Sequence, residues 1–154
     1  MVIRKAVPGD LNELQKIFID SVTKVCRSDY TFEQINAWAS AVDNWKRWED
    51  VLTNQFVAVS QDKNILTGFC SLEKDNYGDF LYIHSDYQRR GIATELYIFI
   101  ENEAKRLYQK EIFSHVSITA KPFFEKAGFH VLKKQKILLK GVELTNYWMK
   151  KRIV

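Results

Sequence analysis

The first third of the chain carries apolar residues at two different spacings. A short apolar stretch, Val2–Ala6, predicts a strand, and Pro8-Gly9 ends it. From Asp10 to Val25 the apolar residues return every three or four positions, which predicts a helix. The same spacing predicts a second helical region over Ser28–Asn54. This part of the chain is therefore expected to be one strand followed by helices.

The rest of the chain predicts a sheet interrupted by two further helices. The predicted elements are, in order, the strands Phe56–Ser60, Ile65–Leu72 and Asp79–His84, the helix Gly91–Tyr108, the strand Ile112–Val116, a short helix ending at Gly128, and the hairpin strands Phe129–Leu139 and Val142–Ile153. Short polar turns join the first three strands, which indicates an antiparallel meander. The strand Ile112–Val116 follows a helix and is expected to run parallel to Asp79–His84. The order β-α-α-β-β-β-α-β-α-β-β defines an α/β (α+β) fold with a mixed, mostly antiparallel central sheet flanked by helices.

Length and composition indicate one globular domain over residues 1–154. No apolar run reaches the roughly eighteen residues that a membrane helix needs, and the first residues lack the apolar core of a signal peptide. Cys26 and Cys70 lie too far apart for a metal or redox motif and are typical of free thiols. We therefore expect a cytoplasmic protein with no metal and no membrane partner.

The formal net charge of +4 is unevenly distributed. Residues 1–77 hold 9 Lys and Arg against 11 Asp and Glu, whereas residues 78–154 hold 14 against 8. A basic half suits an anionic partner such as a nucleotide, a nucleic acid or a membrane surface, but it is equally compatible with a solvated face that has no partner. The sequence has no helix-turn-helix, RNA-recognition or zinc-finger signature, so a nucleic-acid partner is not expected.

The stretch Phe80–Glu95 combines the end of a strand, a polar loop and the start of a helix. If the helix begins near Gly91, its first backbone N–H groups have no partner within the helix, and its dipole favours negative charge there. Arg89 and Arg90 add donors that match phosphate oxygens, while Gly91 and Ala93 allow a ligand to approach the backbone. Neither GxGxxG nor GxxxxGK[ST] is present. The loop therefore predicts a phosphate site of another kind.

Two motifs resemble those of the GNAT superfamily of N-acetyltransferases. The first is Gln88-x-x-Gly91-x-Ala93, and the second is Ser117-x-x-Ala120-x-x-x-Phe124-Glu125-Lys126-x-Gly128-Phe129. The family has Q/R-x-x-G-x-G/A and N-x-x-A-x-x-x-Y-E-K-x-G-F at these positions. The order of elements resembles the family along the whole chain. The resemblance implies a GNAT-like fold and the transfer of an acetyl group from acetyl-CoA, as co-substrate, to a primary amine in a ternary complex.

The resemblance also implies where coenzyme A would lie. The backbone N–H groups from Arg89 to Thr94 would hold its pyrophosphate, and the pantetheine arm would pair like an added strand between Asp79–His84 and Ile112–Val116. Leu81 would offer its backbone N–H to the thioester carbonyl as an oxyanion hole, and Ile83 would pair with pantetheine. The implied coenzyme-binding residues are Leu81, Tyr82, Ile83, Gln88, Arg89, Arg90, Gly91, Ile92, Ala93, Thr94, Ser117 and Phe124.

Two residues depart from the family's second motif. Ser117 replaces an asparagine and is shorter, although its hydroxyl still forms hydrogen bonds. Phe124 replaces a tyrosine that is thought to protonate the departing thiolate, and it has no proton to give. Either another group or water protonates the thiolate, or the thiolate leaves unassisted, which its stability near neutral pH allows. Phe124 is expected to pack against the pantetheine.

The attacking amine must be neutral, so a base or a water path is required. Strand alternation assigns one face to Tyr77, Asp79, Leu81 and Ile83. In some family members the base lies two or four residues before the residue that binds the carbonyl, which makes Asp79 and Tyr77 the catalytic candidates. Asp79, acting through water, is the expected base. The alternative is that Asp79 caps or bridges the preceding turn.

The sequence gives the least information about the acceptor substrate. Three tryptophans of the second helical region either pack in the core or line the acceptor pocket: Trp38, Trp45 and Trp48. His115 and His130 have no metal spacing and are expected to be ordinary packed or exposed residues. A small-molecule or peptide amine is the expected acceptor, and the terminal hairpin offers an edge for homodimer pairing. The alternative to an enzyme is a non-catalytic acyl-CoA-binding module, which the loss of the tyrosine at Phe124 motivates.

Overall fold

A seven-stranded sheet forms the centre of the computed structural model, which describes residues 1–154. The strands are β1 Val2–Lys5, β2 Phe56–Asp62, β3 Ile65–Glu73, β4 Tyr77–Ile83, β5 Glu111–Ser117, β6 His130–Leu139 and β7 Val142–Arg152. Their spatial order is β1-β2-β3-β4-β5-β7-β6. Only β4 and β5 run parallel, and all other neighbours are antiparallel. The predicted mixed, mostly antiparallel sheet and its single parallel pair are confirmed.

Five α-helices cover the two faces of this sheet. They are α1 Leu11–Asp20, α2 Phe32–Ala39, α3 Trp45–Asn54, α4 Ile92–Arg106 and α5 Lys121–Lys126. The chain continues from α1 through a π-helical turn, Ser21–Val25. The second predicted helical region contains two helices, α2 and α3, because Asn44 leaves the helical conformation and caps α3 by accepting a hydrogen bond from the Arg47 N–H at 3.3 Å. No helix is both long and apolar enough to cross a bilayer.

Each face of the sheet has its own hydrophobic core. Helices α1–α3 cover one face, where Trp48 stacks on Phe80 at 5.1 Å and meets Phe18 edge-on at 5.3 Å. Helices α4 and α5 cover the other face, where Leu96 and Ile100 pack with Phe124. Of the three tryptophans in the second helical region, Trp48 is fully buried, Trp38 is half-buried and Trp45 is 60% exposed. Trp48 is therefore a core residue.

A β-bulge in β4 changes which face each of its residues occupies. Leu72 pairs with Gly78 and Cys70 pairs with Leu81, so Asp79 and Phe80 together lie opposite the single residue between Leu72 and Cys70. The extra residue shifts the alternation by one position. The side chains of Tyr77, Asp79, Phe80 and Tyr82 lie on the α1–α3 face, and those of Leu81 and Ile83 lie on the α4 face. The prediction that Tyr77 and Asp79 share a face with Leu81 and Ile83 is wrong for this reason.

Strands β4 and β5 part immediately beyond the bulge. They are paired only at Tyr77–Phe113 and Gly78–Ser114, where the Phe113 N–H donates to the Asn76 carbonyl at 2.9 Å. The opening beyond these pairs, between residues 79–83 of β4 and 115–117 of β5, is called the β4–β5 slot below.

The backbone of β4 presents unpaired groups to this slot. The Phe80 N–H donates to the Ser71 hydroxyl at 3.1 Å, and the His84 N–H donates to the Thr67 carbonyl at 2.9 Å. These donors point towards β3. Because successive backbone N–H groups alternate in direction along a strand, those of Leu81 and Ile83 point into the slot.

The Ser71 hydroxyl accepts a hydrogen bond from the buried Phe80 N–H, which the bulge removes from the backbone pairing of β3 and β4. Replacing it by Ser71→Ala leaves the Phe80 N–H without a partner, and we expect the free energy of unfolding to fall by about 1–3 kcal/mol. Urea denaturation measures this change. The control is Ser28→Ala, which removes an exposed hydroxyl without a hydrogen bond. Equal midpoints for the two variants would show that Ser71 does not support the bulge.

Candidate active site

The loop after β4 presents a row of free backbone donors. Arg89 and Gly91 adopt positive φ angles of 59° and 79°, and Gly91 is the N-cap of α4. The first hydrogen bond of the helix is donated by the Glu95 N–H to the Gly91 carbonyl at 3.1 Å. The backbone N–H groups from Arg89 to Thr94 donate to no group of the protein. Residues 88–94, called the anion loop below, therefore have the free donors that an anion requires.

Positive charge surrounds these donors. Arg89 and Arg90 are exposed and form no ion pair, although the Arg90 guanidinium lies 5.0 Å from the ring centre of Tyr87. Thr94 is exposed beside them, Ala93 is half-buried, and Ile92 is buried in the core on the α4 face. The buried Ile92 fixes the start of α4, whereas the arginines remain available for a ligand.

Two hydrogen bonds fasten the loop to the rest of the fold. The Gln88 side-chain amide donates to the Ile83 carbonyl at 2.8 Å, at the open end of the slot. The Asp20 carboxylate accepts from the Ser85 N–H at 2.7 Å and from the Ser85 hydroxyl at 3.1 Å. Burial of Asp20 opposes its ionisation, but the bonds from Ser85 and Lys24 outweigh burial and lower its pKa. The sequence analysis missed Asp20 because the contact joins residues 65 positions apart.

Of the two residues that depart from the second motif, Ser117 ends β5 and Phe124 lies in α5. The Ser117 hydroxyl accepts a hydrogen bond from the Ala120 N–H at 3.0 Å and so shapes the turn after β5. Phe124 is buried on the α4 face and meets Phe129 edge-on at 4.9 Å. Tyr82 packs on the opposite face, edge-on to Phe18 at 5.0 Å. Of the implied coenzyme-binding set, Tyr82 therefore directs its side chain away from the slot.

Asp79 lies at the closed end of the slot and is already bound by two side chains. Arg47 donates to one carboxylate oxygen at 3.0 Å, and the Gln55 amide donates to the other at 2.7 Å. The Asp79 side chain is only 7% exposed, and the Arg47 guanidinium lies 4.8 Å from the ring centre of Phe80. Neither Arg47 nor Gln55 was a predicted site residue, because both come from α3 and its C-terminal end, far from β4 in sequence.

A second group of side chains occupies the α1–α3 face where the strands part. The His115 ring lies 4.4 Å from that of Trp148 and 5.7 Å from that of Tyr77. Its Nδ1 atom lies 2.7 Å from the side-chain amide nitrogen of Gln135. Alternation along β5 places His115 opposite the buried Ser114 and Val116, a signal that the sequence analysis did not use.

Both titratable rings of this group are uncharged near neutral pH. Burial raises the pKa of Tyr77 to about 12, and the charge of Asp79 adds to the effect, while the His115 backbone N–H near the phenolic oxygen acts against it. Burial lowers the pKa of His115 below its ordinary value, against the opposing charge of Asp79. A neutral proton donor and a neutral proton acceptor therefore lie next to each other. No group of three or more His, Cys, Asp or Glu side chains is arranged to hold a metal ion.

The fold and this slot match known acetyltransferases. The model of the acetyltransferase (GNAT) domain family matches residues 26–151. An uncharacterized N-acetyltransferase of Escherichia coli, YafP, is 36% identical over 149 residues, which cover 96% of this chain and 93% of that protein.

Solved structures agree with the family match. A GCN5-related N-acetyltransferase from Rhodopseudomonas palustris has a TM-score of 0.95 at 29% identity, with 99% of this chain and 95% of that chain covered. The PaiA N-acetyltransferase from Thermoplasma acidophilum, solved with coenzyme A, has a TM-score of 0.81 at 20% identity and covers 98% of each chain.

The family match and the relative in Escherichia coli identify the chain as an acyltransferase. The chain belongs to the GNAT acetyltransferase family. The predicted family, fold class and enzyme class are confirmed. The roles assigned to individual site residues stay predictions.

Gly91 provides a test of the anion loop with a matched control. Gly91 and Gly141 have the same φ of 79°, and an added Cβ meets no protein atom at either position. Gly91→Ala and Gly141→Ala should each lower the free energy of unfolding by about 1–2 kcal/mol, the usual cost of the left-handed conformation. Only Gly91→Ala should also weaken coenzyme A binding, by about tenfold or more, since it disturbs hydrogen bonds to charged oxygens. Calorimetric titration checks the affinity, and equal affinities for the two variants would contradict the assignment of the loop.

Proposed function

We propose that residues 1–154 act as one cytoplasmic N-acetyltransferase domain, which transfers the acetyl group of acetyl-CoA to a primary amine by direct attack in a ternary complex. The observation that carries this proposal is the β4–β5 slot, which leads from a row of free backbone donors to a cluster of neutral proton-transfer groups. The two cysteines are free and buried, in keeping with a reducing compartment.

The residues present fit coenzyme A at both ends of the slot. The free N–H groups of the anion loop suit a pyrophosphate, and the unpaired arginines Arg89 and Arg90 suit further phosphate charge. The unpaired N–H groups of Leu81 and Ile83 offer hydrogen bonds to an amide-containing arm. Similar proteins hold the same ligand, as in the PaiA complex. The domain therefore binds its donor mainly with backbone groups, and side chains at the loop add charge.

Leu81 supplies the electrostatic part of the reaction. Its N–H points into the slot and has no partner in the protein. As the amine attacks, negative charge develops on the thioester oxygen, and a donor fixed by the sheet stabilises that charge without reorganising. The bulge sets the direction of this N–H, so the catalytic geometry depends on the backbone at Asp79–Phe80.

Tyr77 takes the role that Phe124 cannot fill. Its hydroxyl lies next to the His115 backbone N–H, where the strands part, and its raised pKa of about 12 keeps the proton on the oxygen over the whole working range. The raised pKa makes Tyr77 a weaker acid than free tyrosine, but it keeps the hydroxyl protonated, so that a proton is present to be given as negative charge develops on sulfur. Asp79 is a positioning residue, since its two oxygens hold Arg47 and Gln55. To act as a base through water, as predicted, Asp79 must also accept a hydrogen bond from that water on the same carboxylate.

The acceptor amine approaches from the α1–α3 face. Trp148, Tyr77 and the half-buried Trp38 provide aromatic surface there, which suits an organic amine or its cation. Structures of the same fold include an aminoglycoside 6'-N-acetyltransferase at 15% identity and a ribosomal-protein-alanine N-acetyltransferase at 19% identity. The proposed acceptor class is therefore a small-molecule or peptide amine, and the sheet edge at β6 is the proposed surface for a homodimer.

A panel of amines tests the proposed function. Thioester consumption is followed with kanamycin, spermidine, benzylamine and an alanine-terminated peptide. At least one amine should be acetylated, and double-reciprocal plots should intersect, because direct attack requires both substrates to be bound together. Parallel plots would indicate a covalent acetyl-enzyme instead. Tight acetyl-CoA binding without turnover of any amine would favour the non-catalytic acyl-CoA-binding module.

Substitution of Tyr77 tests the proposed proton donor. Tyr77→Phe should lower kcat by roughly tenfold to hundredfold, the lower end of acid catalysis, because a thiolate is a stable leaving group. Because the pKa of Tyr77 is about 12, the acid side of the pH profile should not change. The matched control is Tyr108→Phe at a tyrosine that is 91% exposed. A Tyr77→Phe enzyme with the kcat of the control would exclude this role.

A further inference from the structure

We propose that His115 is the general base that takes the proton from the attacking amine. This inference rests on the proposed function and assigns a residue that neither family motif contains. The histidine follows the last residue of β5 that pairs with β4, so it stands at the closed end of the slot. In the parallel register it lies at the level of Asp79, on the other wall of the same opening.

The side chains on the β4 and β5 sides of the slot differ in how readily they can accept a proton from a ligand. Asp79 is 7% exposed, and each of its oxygens already receives a hydrogen bond, from Arg47 or from Gln55. His115 is exposed and makes one side-chain hydrogen bond, through Nδ1. Its Nε2 atom forms no hydrogen bond within the protein. Of the two candidates, His115 is the one that an incoming amine can reach, because the Asp79 carboxylate is buried beneath Arg47 and Gln55.

Gln135 is placed to set the histidine tautomer. Its side-chain amide lies 2.7 Å from Nδ1. With the amide nitrogen facing Nδ1, Nδ1 accepts and the ring carries its proton on Nε2. The proposed role requires the amide turned by a half-turn, so that its oxygen accepts from the Nδ1–H group and Nε2 keeps its lone pair. The same oxygen then stabilises the imidazolium that forms when Nε2 takes a proton. Gln135 is thus a positioning residue for the base.

The surroundings keep the base neutral before the reaction. Trp148 lies against one side of the ring at 4.4 Å, and this partial desolvation lowers the pKa of His115 although the residue is exposed. The charged and titratable groups on the same face are Tyr77 and Asp79 from β4, Glu73 from β3, Glu111 from β5, Lys150 and Arg152 from β7, Lys133 from β6, and Arg47 from α3. Arg47 pairs with Asp79 at 3.0 Å, and Lys150 pairs with Glu111 at 2.7 Å. Asp79 is the carboxylate whose charge favours a proton on the ring, and desolvation of the ring outweighs it.

The reaction balances with these groups alone. The amine nitrogen attacks the thioester carbon and forms the C–N bond, while Nε2 of His115 accepts the proton that the nitrogen gives up. The C–S bond then breaks and its electron pair stays on sulfur. Tyr77 donates a proton to that thiolate and recovers one from solvent, as His115 releases its own. The products are the acetamide and free coenzyme A.

Chemical rescue and a pH profile test His115. With the panel amine that the wild type acetylates fastest, His115→Ala should lower kcat/KM by about 10²–10³-fold. Since the site is exposed, imidazole added to the assay should raise the kcat/KM of His115→Ala by at least about tenfold. For the wild type, kcat/KM corrected for the free-amine fraction should decrease as the pH falls below the pKa of His115, because protonation removes the acceptor. This acid limb should disappear in His115→Ala.

Three comparisons separate a base from a structural residue. Asp79→Asn should keep the acid limb, and His130→Ala, on the edge strand β6, should keep kcat/KM within about twofold. Acetyl-CoA affinity should be the same in His115→Ala and the wild type. An unchanged acid limb in His115→Ala, or a loss that imidazole does not restore, would overturn the assignment while leaving the proposed function intact. A wild type that acetylates no panel amine would overturn both.

Discussion

The bulge in β4 is the constraint on which the rest of the site depends. A single extra residue at Asp79–Phe80 shifts the side-chain alternation of the strand by one position, so that Asp79, Phe80 and Tyr82 lie on the α1–α3 face and Leu81 and Ile83 lie on the α4 face. The same residue ends the pairing with β5 and directs the N–H groups of Leu81 and Ile83 into the opening. Without the bulge, β4 and β5 would continue as an ordinary parallel pair. The sheet would then have no unpaired groups to offer a ligand.

The charges of the site are divided into two kinds of environment. At the anion loop the arginines are exposed and unpaired, so they interact with a ligand at the cost of little desolvation. At the closed end of the slot the Asp79 carboxylate is buried and its partner Arg47 is partly exposed, and the rings of Tyr77 and His115 are neutral. The proposed mechanism therefore assigns the attraction of the ligand and the chemistry to different residues. A substitution at one end should leave the properties of the other end largely unchanged.

The start of α4 at Gly91 and its free backbone donors could be predicted from the sequence because their signals are local. Gly91 is required by a positive φ, the arginines adjoin it, and the helical spacing that follows identifies α4. The closed end of the slot was predicted poorly because its contacts are remote in sequence. The bulge needs a hydroxyl from Ser71, and Asp79 needs partners from α3, none of which a strand pattern reveals. His115 was set aside because it belongs to no motif, although the alternation of β5 was sufficient to place it on the reactive face.

The hydrogen bond from Gln88 to the Ile83 carbonyl has a consequence for how the donor binds. It joins the anion loop to the last residue of β4 at 2.8 Å and so fixes the position of the loop relative to the strand. A ligand anchored at the loop is thereby held with its arm at a high effective concentration along the strand. Each end then needs only modest affinity of its own, because the second contact is intramolecular. The product can therefore leave in two weak steps, with no single strong bond to break.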